Sequence, residues 1–190
     1  MKSQADLFEI AARMQSSLKA ASIESIVIGG LAVAIWGEPR TTRDVDLKVL
    51  LTRGQADLLV RSLPAEYRRL SAEPEETLRR AGLLFVEDES GIRVDLLLGE
   101  TEFDARAISR GRKIETRPEV ELDVCSPEDL IIYKIISTRS RDHDDVRGIL
   151  RRQRGKLDDE YITSWLRQFE QAFDDSTLID SYRRMRSACL

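Results

Sequence analysis

The chain has 190 residues, 42% hydrophobic and 34% charged, with 30 Lys and Arg against 34 Asp and Glu, for a net charge of −4. That balance excludes a disordered chain and argues against a general nucleic-acid binder, and the length buries one core with at most a small helical appendage. No run approaches the roughly 20 apolar residues that span a bilayer, and Met1-Lys2-Ser3-Gln4-Ala5-Asp6 lacks a signal-peptide pattern. Cys125 and Cys189 are too few and too far apart for a metal motif. A cytoplasmic protein with free thiols and no membrane partner is expected.

In chain order, residues 3–21 read as an amphipathic helix with Leu7, Ala11, Met14 and Leu18 on one stripe. Ser25-Ile26-Val27-Ile28-Gly29-Gly30 reads as a buried strand running into two glycines, and Leu31 to Gly37 as a short helix. Glycines at such a turn let the backbone approach a ligand, and the helix N-terminus offers N–H groups to a phosphate. Arg43-Asp44-Val45-Asp46-Leu47-Lys48-Val49 alternates as a strand, so Val45, Leu47 and Val49 enter a core while Asp44 and Asp46 project together on the other side. Two like charges that close repel unless a cation neutralises them, and carboxylate oxygens are what Mg²⁺ uses when it also holds substrate phosphates.

Residues 53–62 read as a helix behind Thr52, Leu70 marks a short strand, and Glu73 to Ala81 is a charged helix. Leu83–Glu87 and Ile92–Leu98 flank Glu89-Ser90-Gly91 as a hairpin, with Asp95 on the face opposite the regular apolar row. Asp104 to Ser109 is expected as helix and Val120 to Val124 as strand, feeding a helix capped by Ser126 with Pro127 at its first position. Helices follow over 142–152, 159–173 and 176–188, with Trp165, Phe169, Phe173 and Tyr182 as the larger apolar anchors and Gly155-Lys156 as the joint before the last two. Trp36 packs the back of the glycine-turn helix or stacks on a base, and His143 is expected to be exposed. The basic residues Arg147, Arg151, Arg152, Arg154 and Lys156 are either a solvated helix end or a phosphate-steering patch.

Gly29-Gly30, Arg40-Thr41-Thr42 and Asp44-Val45-Asp46, with Asp95 on a later strand, resemble the signature of the nucleotidyltransferase superfamily related to DNA polymerase β. The segment Ser126 to Lys134, followed by Arg139-Ser140-Arg141-Asp142-His143-Asp144-Asp145, is similar to a subgroup containing the abortive-infection type IV (AbiEii-like) toxin and small uncharacterised transferases. Arg141 stands there in place of the usual lysine. The matched segments span residues 25–150.

The resemblance implies an α+β fold: a small mixed sheet flanked by helices, with a transferase core over 1–138 and a C-terminal helical region over 139–190 packed on it. It implies an enzyme that moves a nucleoside monophosphate from an NTP to a hydroxyl acceptor and releases pyrophosphate. Asp44, Asp46 and Asp95 would be catalytic and would bind two Mg²⁺ ions, or Mn²⁺ in their place. Gly29 and Gly30 would contact the triphosphate, Arg40 and Thr42 would orient the phosphates or the catalytic loop, and Lys134 would stabilise the pyrophosphate or the nucleotide, unless it only snorkels to the surface. Asp142 either joins nucleotide binding or forms a capping and salt-bridge cluster with Arg139, Arg141 and Asp145. The acceptor implied is tRNA, protein or a small molecule such as an antibiotic. A toxin with an antitoxin or regulatory partner is the favoured setting, and a catalytically weak nucleotide-binding regulator the alternative.

Overall fold

The computed structural model describes residues 4–137 and 139–189. Its elements are α1 (Gln4–Ala20), β1 (Ser25–Val27), α2 (Gly29–Trp36), β2 (Asp44–Val49), α3 (Ala56–Ser62), β3 (Arg68–Arg69), α4 (Pro74–Ala81), β4 (Leu83–Glu87), β5 (Arg93–Leu98), α5 (Glu102–Ser109), β6 (Arg112–Arg117), β7 (Val120–Val124), α6 (Pro127–Ile135), α7 (Ser140–Arg152), α8 (Asp159–Phe173) and α9 (Leu178–Ala188). The expected mixed α+β architecture is present. The chain forms two compact units, one comprising residues up to Leu31 together with Thr41–Cys125, the other Ala32–Arg40 together with Ser126 onward.

The first unit holds a seven-stranded sheet in the order β3-β4-β5-β2-β1-β7-β6. β2 pairs parallel with β5 and β1 parallel with β7, while the remaining pairs are antiparallel. Alternation does what the sequence predicts: Val45, Leu47, Val49, Val94, Leu96, Leu84 and Val86 are buried on one face, whereas Asp44, Asp46 and Lys48 on β2 are only half-buried. α1 packs on β1, β2 and β7 through Leu7, Ala11, Met14 and Leu18, all buried. The hairpin at Asp88–Gly91 is tied by Asp88, whose Oδ1 accepts from the Ile92 amide at 2.8 Å and from the Ser90 hydroxyl at 2.7 Å.

β6 is absent from the sequence expectation. Arg112-Lys113-Ile114-Glu115-Thr116-Arg117 has too few apolar positions to read as a strand, yet it lies at the sheet edge, where polar residues face water and pairing with β7 supplies the backbone hydrogen bonds. Elsewhere the differences lie at element ends. β1 stops at Val27, and α2 already begins at Gly29, so the two glycines occupy its first turn rather than a turn ahead of it. α5 starts at Glu102 because Thr101 and Asp104 cap it reciprocally.

In the second unit α6 packs against α7, α8 and α9. Ser126 caps α6, its hydroxyl accepting from the Asp129 amide and donating to Asp129 Oδ2, while the Tyr161 hydroxyl donates to Asp129 Oδ1 at 2.6 Å. The expected anchors of α8 are corrected. Ile162 and Leu166 are its buried residues, Trp165 and Phe169 are half-buried, and Phe173 is 57% exposed. The aromatic stripe at 165, 169 and 173 runs beside the 162/166 stripe that meets the core. Tyr182 is buried as expected, its hydroxyl bonded to Asp159, and His143 is half-buried rather than exposed.

Candidate active site

β2 and β5 set the acids side by side. In their parallel register Asp44 lies opposite Arg93 and Asp46 opposite Asp95, so three carboxylates and one guanidinium share a single face. The antiparallel pairing of β4 extends the second row to Phe85, and the next residue in that row is Leu70, whose amide donates to the Phe85 carbonyl at 3.0 Å. Both Phe85 and Leu70 are exposed.

The glycine turn is mated to this face. Gly29 has φ +62°, and a Cβ there would overlap Asp46 Oδ2 and lie 2.5 Å from Asp46 Cγ. A Cβ on Gly30 would overlap Thr42 Oγ1 and lie 2.7 Å from Thr42 Cβ. The Ile28 amide donates to the Asp46 carbonyl at 3.0 Å, and the Thr42 hydroxyl donates to Asp44 Oδ1 at 3.0 Å. Only residues without side chains let the start of α2 approach Asp46 and Thr42 this closely.

We expect Gly29→Ala to cost about 1–3 kcal/mol from its left-handed backbone and, in addition, to displace Asp46. Gly82→Ala, at φ +66° and with its nearest neighbour Glu100 Oε2 3.2 Å from the added Cβ, carries the backbone strain without the displacement. Thermal melts should place Gly29→Ala below Gly82→Ala, because Asp46 Cβ itself lies only 2.8 Å from the added Cβ. Nucleotide binding should fall only in Gly29→Ala, and equal binding by both variants would show that Asp46 is not displaced.

Arg93 answers the charge repulsion. Its Nε donates to Asp95 Oδ1 at 2.7 Å, and its Nη2 donates to Asp95 Oδ2 and to Asp44 Oδ2, each at 3.0 Å. The guanidinium carbon lies 4.9 Å from the centroid of the Phe85 ring, a cation–π distance. Burial is the largest influence on Asp95 and raises its carboxyl above the ordinary range; the charge of Asp44 adds to this, and Arg93 opposes without cancelling it. Burial works against the Arg93 cation, but Asp95, Asp44 and Asp46 together hold it still more firmly charged. Among the described residues no three His, Cys, Asp or Glu side chains are drawn together as a preformed metal cage. Asp44 and Asp95 turn to Arg93 instead. The donors on this face are nonetheless hard carboxylate oxygens, the type that suits Mg²⁺ or Mn²⁺.

Arg40, Lys134 and Asp142 lie in the second unit. Arg40 makes a two-pronged bond to Asp145, Nε to Oδ1 at 2.5 Å and Nη2 to Oδ2 at 2.8 Å. Lys134 Nζ lies 2.5 Å from Asp142 Oδ1 and 3.0 Å from Asp145 Oδ2, and the Ser137 hydroxyl donates to Asp142 Oδ2 at 2.5 Å. Lys134, Asp142 and Asp145 are all buried. Burial alone would raise the Asp145 carboxyl, but Arg40 and Lys134 outweigh it and hold it below its ordinary value. Lys134 therefore does not snorkel; it is the cation of a buried ion cluster, and the resemblance's Arg-x-Thr is divided, Arg40 bonding Asp145 and Thr42 bonding Asp44. Of the basic stretch, Arg147 pairs with Asp144, Arg151 with Glu38, and Arg152 donates to the Gly37 carbonyl. These bonds favour a solvated helix end over a phosphate-steering patch. Trp36 is half-buried, and its carbonyl accepts from Gln153.

A family model described as a nucleotidyltransferase of unknown function (DUF6036) matches residues 5–158. The chain belongs to that family. The match takes in every one of the acids, glycines and basic residues just described, and the chain is a nucleotidyltransferase. No curated protein sequence matches it. Among solved structures it resembles an antigenic nucleotidyltransferase-like protein from Paracoccidioides brasiliensis at 15% identity, TM-score 0.53, covering 94% of both chains. The antibiotic-resistance factor ANT(2'')-Ia is 11% identical, TM-score 0.58, over 90% of this chain and 95% of its own. JHP933 from Helicobacter pylori is 12% identical, TM-score 0.50, over 100% and 94%. Likeness at these identities establishes a shared nucleotidyltransferase fold.

The residue that the sequence reading missed is Arg93. Its signal was present, an arginine two positions before Asp95 and hence on the same strand face, but its partner Asp44 lies 49 residues away.

Proposed function

We propose that this nucleotidyltransferase moves a nucleoside monophosphate from an NTP to a hydroxyl acceptor with release of pyrophosphate, using Asp44, Asp46 and Asp95 and a divalent cation, Mg²⁺ or Mn²⁺. The observation that carries the proposal is the row formed by Asp46 and Asp95 on adjacent parallel strands, with the backbone of Gly29 set against Asp46. The hydroxyl oxygen forms a bond to the α-phosphorus, the bond from that phosphorus to the β-phosphate oxygen breaks, and pyrophosphate departs. Asp95, opposite Asp46 in the parallel register, takes the hydroxyl proton, the role its match to the third acid of the family signature implies. Asp44, Asp46 and Asp95 would hold the divalent cation, which when bound would supply neutralisation of the negative charge that develops during transfer. Gly29 and Gly30, at the start of α2, would present backbone N–H groups to the triphosphate, and Thr42 keeps Asp44 oriented through its hydroxyl. Lys134 and Asp142, with Arg40 and Asp145, tie α6 to α7 within the second unit.

The acceptor we favour is a macromolecular hydroxyl, on tRNA or on a protein, in a cytoplasmic toxin with an antitoxin partner. The similarity of Ser126–Lys134 and Arg139–Asp145 to the AbiEii-like subgroup supports this reading. A small-molecule acceptor has the fold likeness to ANT(2'')-Ia on its side, a protein also solved with adenylyl-2''-tobramycin. No helix among the described residues is long and apolar enough to cross a membrane. Isothermal titration with ATP, CTP, GTP and UTP in the presence of Mg²⁺ tests the donor half. At least one NTP should bind, with an affinity that falls on chelation and in Asp46→Ala. Binding that is independent of metal and unchanged in Asp46→Ala would leave a nucleotide-binding regulator as the better description.

A further inference from the structure

Arg93 is bonded to two of the three proposed catalytic acids, and it uses both oxygens of Asp95 to do so. A guanidinium fork on a carboxylate is a strong, directional pair, because two parallel N–H groups match two oxygens. The ring of Phe85 holds the fork from the other side, at 4.9 Å. A divalent cation that takes an oxygen of Asp95 must therefore share it with an arm of Arg93 or displace that arm, and one that approaches Asp44 Oδ2 meets the same Nη2; in either case the positive charge of Arg93 lies beside it. Ion and guanidinium compete for the same charge.

We propose that Arg93 is a built-in counter-ion to Asp95 and Asp44 that weakens the site's grip on its divalent cation. This rests on the reading of Asp44, Asp46 and Asp95 as the cation site. Arg93 keeps the acids from flying apart before the cation arrives, and it sets the concentration at which the cation takes over. The position is specific: Arg93 is the direct cross-strand neighbour of Asp44 and lies two residues before Asp95 on its strand, so no rotation of either strand is needed for one side chain to reach both.

A purely structural arginine predicts the opposite sign. Removing a structural prop loosens the acids and weakens ion binding, whereas removing a competing charge tightens it. The test is Mn²⁺ binding without nucleotide, followed by the paramagnetic resonance of the free ion, on folded wild-type protein, Arg93→Met, Arg93→Lys, Phe85→Leu and Asp46→Ala. Arg93→Met should bind Mn²⁺ roughly 10-fold tighter, as expected for removal of a full charge a few ångströms away in a partly buried site. Arg93→Lys should stay near wild type, and Phe85→Leu, which leaves every charge in place, should shift the same way by a smaller factor. Wild-type or weaker affinity in both Arg93→Met and Phe85→Leu overturns the inference while leaving the cation site standing, provided that Asp46→Ala still abolishes binding. Equal binding by wild type and Asp46→Ala instead removes the cation site, and the inference with it.

Discussion

Asp46→Ala is expected to lower label transfer from an NTP to its acceptor by at least about 10²–10³-fold, the scale on which loss of one group stabilising transition-state charge acts. The stability change should be small beside that loss, because Asp46 is half-buried and the repulsion from Asp44 and Asp95 offsets the attraction to Arg93 that its removal gives up. The measurement pairs a radiolabelled-NTP assay on total cell RNA, total protein and antibiotics with a thermal melt. A variant that melts like wild type and still transfers label would remove Asp46 from the chemistry. The fraction that takes up label also separates the acceptor classes, since the donor half of the reaction is common to all of them.

Asp145→Asn is expected to do the reverse, acting on stability first. Asp145 accepts from Arg40 and lies 3.0 Å from Lys134 with only 2% of its side chain exposed, so the neutral variant leaves two cations short of their counter-charge. Breaking a buried pair from one side costs about 3–5 kcal/mol, which for a chain of this size lowers the melting midpoint by roughly 10 °C. The pH dependence has a definite sign. Because the folded-state carboxyl is held below its ordinary value, its stabilisation is complete above that ordinary value and is lost as pH falls through the lower, folded one. The gap between wild type and Asp145→Asn should therefore be constant near neutrality and shrink in acid below the ordinary carboxylate range. A gap that is unchanged down to strongly acidic pH would mean that the loss comes from packing rather than charge. A residue matched to a family signature thus need not act on substrate directly: Asp145 and Lys134 earn their place through each other.

Alternation made the strands around Asp44 and Asp95 legible, since a period of two residues places every second side chain on one face whatever the strand is paired with. The glycines were legible as well, though not their partners; that Gly29 abuts Asp46 and Gly30 abuts Thr42 depends on how the chain turns from the end of β1 into α2 beside β2. β6 escaped because an edge strand needs no apolar face, and its hydrogen bonds come from a neighbour rather than from its own composition. On α8 the reading chose the aromatic stripe over Ile162 and Leu166, because size signals burial less reliably than the direction in which a helix meets its neighbours.

What the sequence determined by itself was local: which residues alternate, where glycine replaces a side chain, and that acids recur on the face away from the core. Those properties depend on backbone geometry over a few residues, and it was their resemblance to a known family signature that pointed to the class of chemistry. Only the tertiary structure decided the charge balance. The parallel pairing of β2 with β5 put Asp95 beside Asp46 and Arg93 against Asp44, and the packing of α6 on α7 enclosed Lys134 between Asp142 and Asp145. Electrostatic partnership depends on distance in space and on exclusion of water, and neither is a property of spacing along the chain.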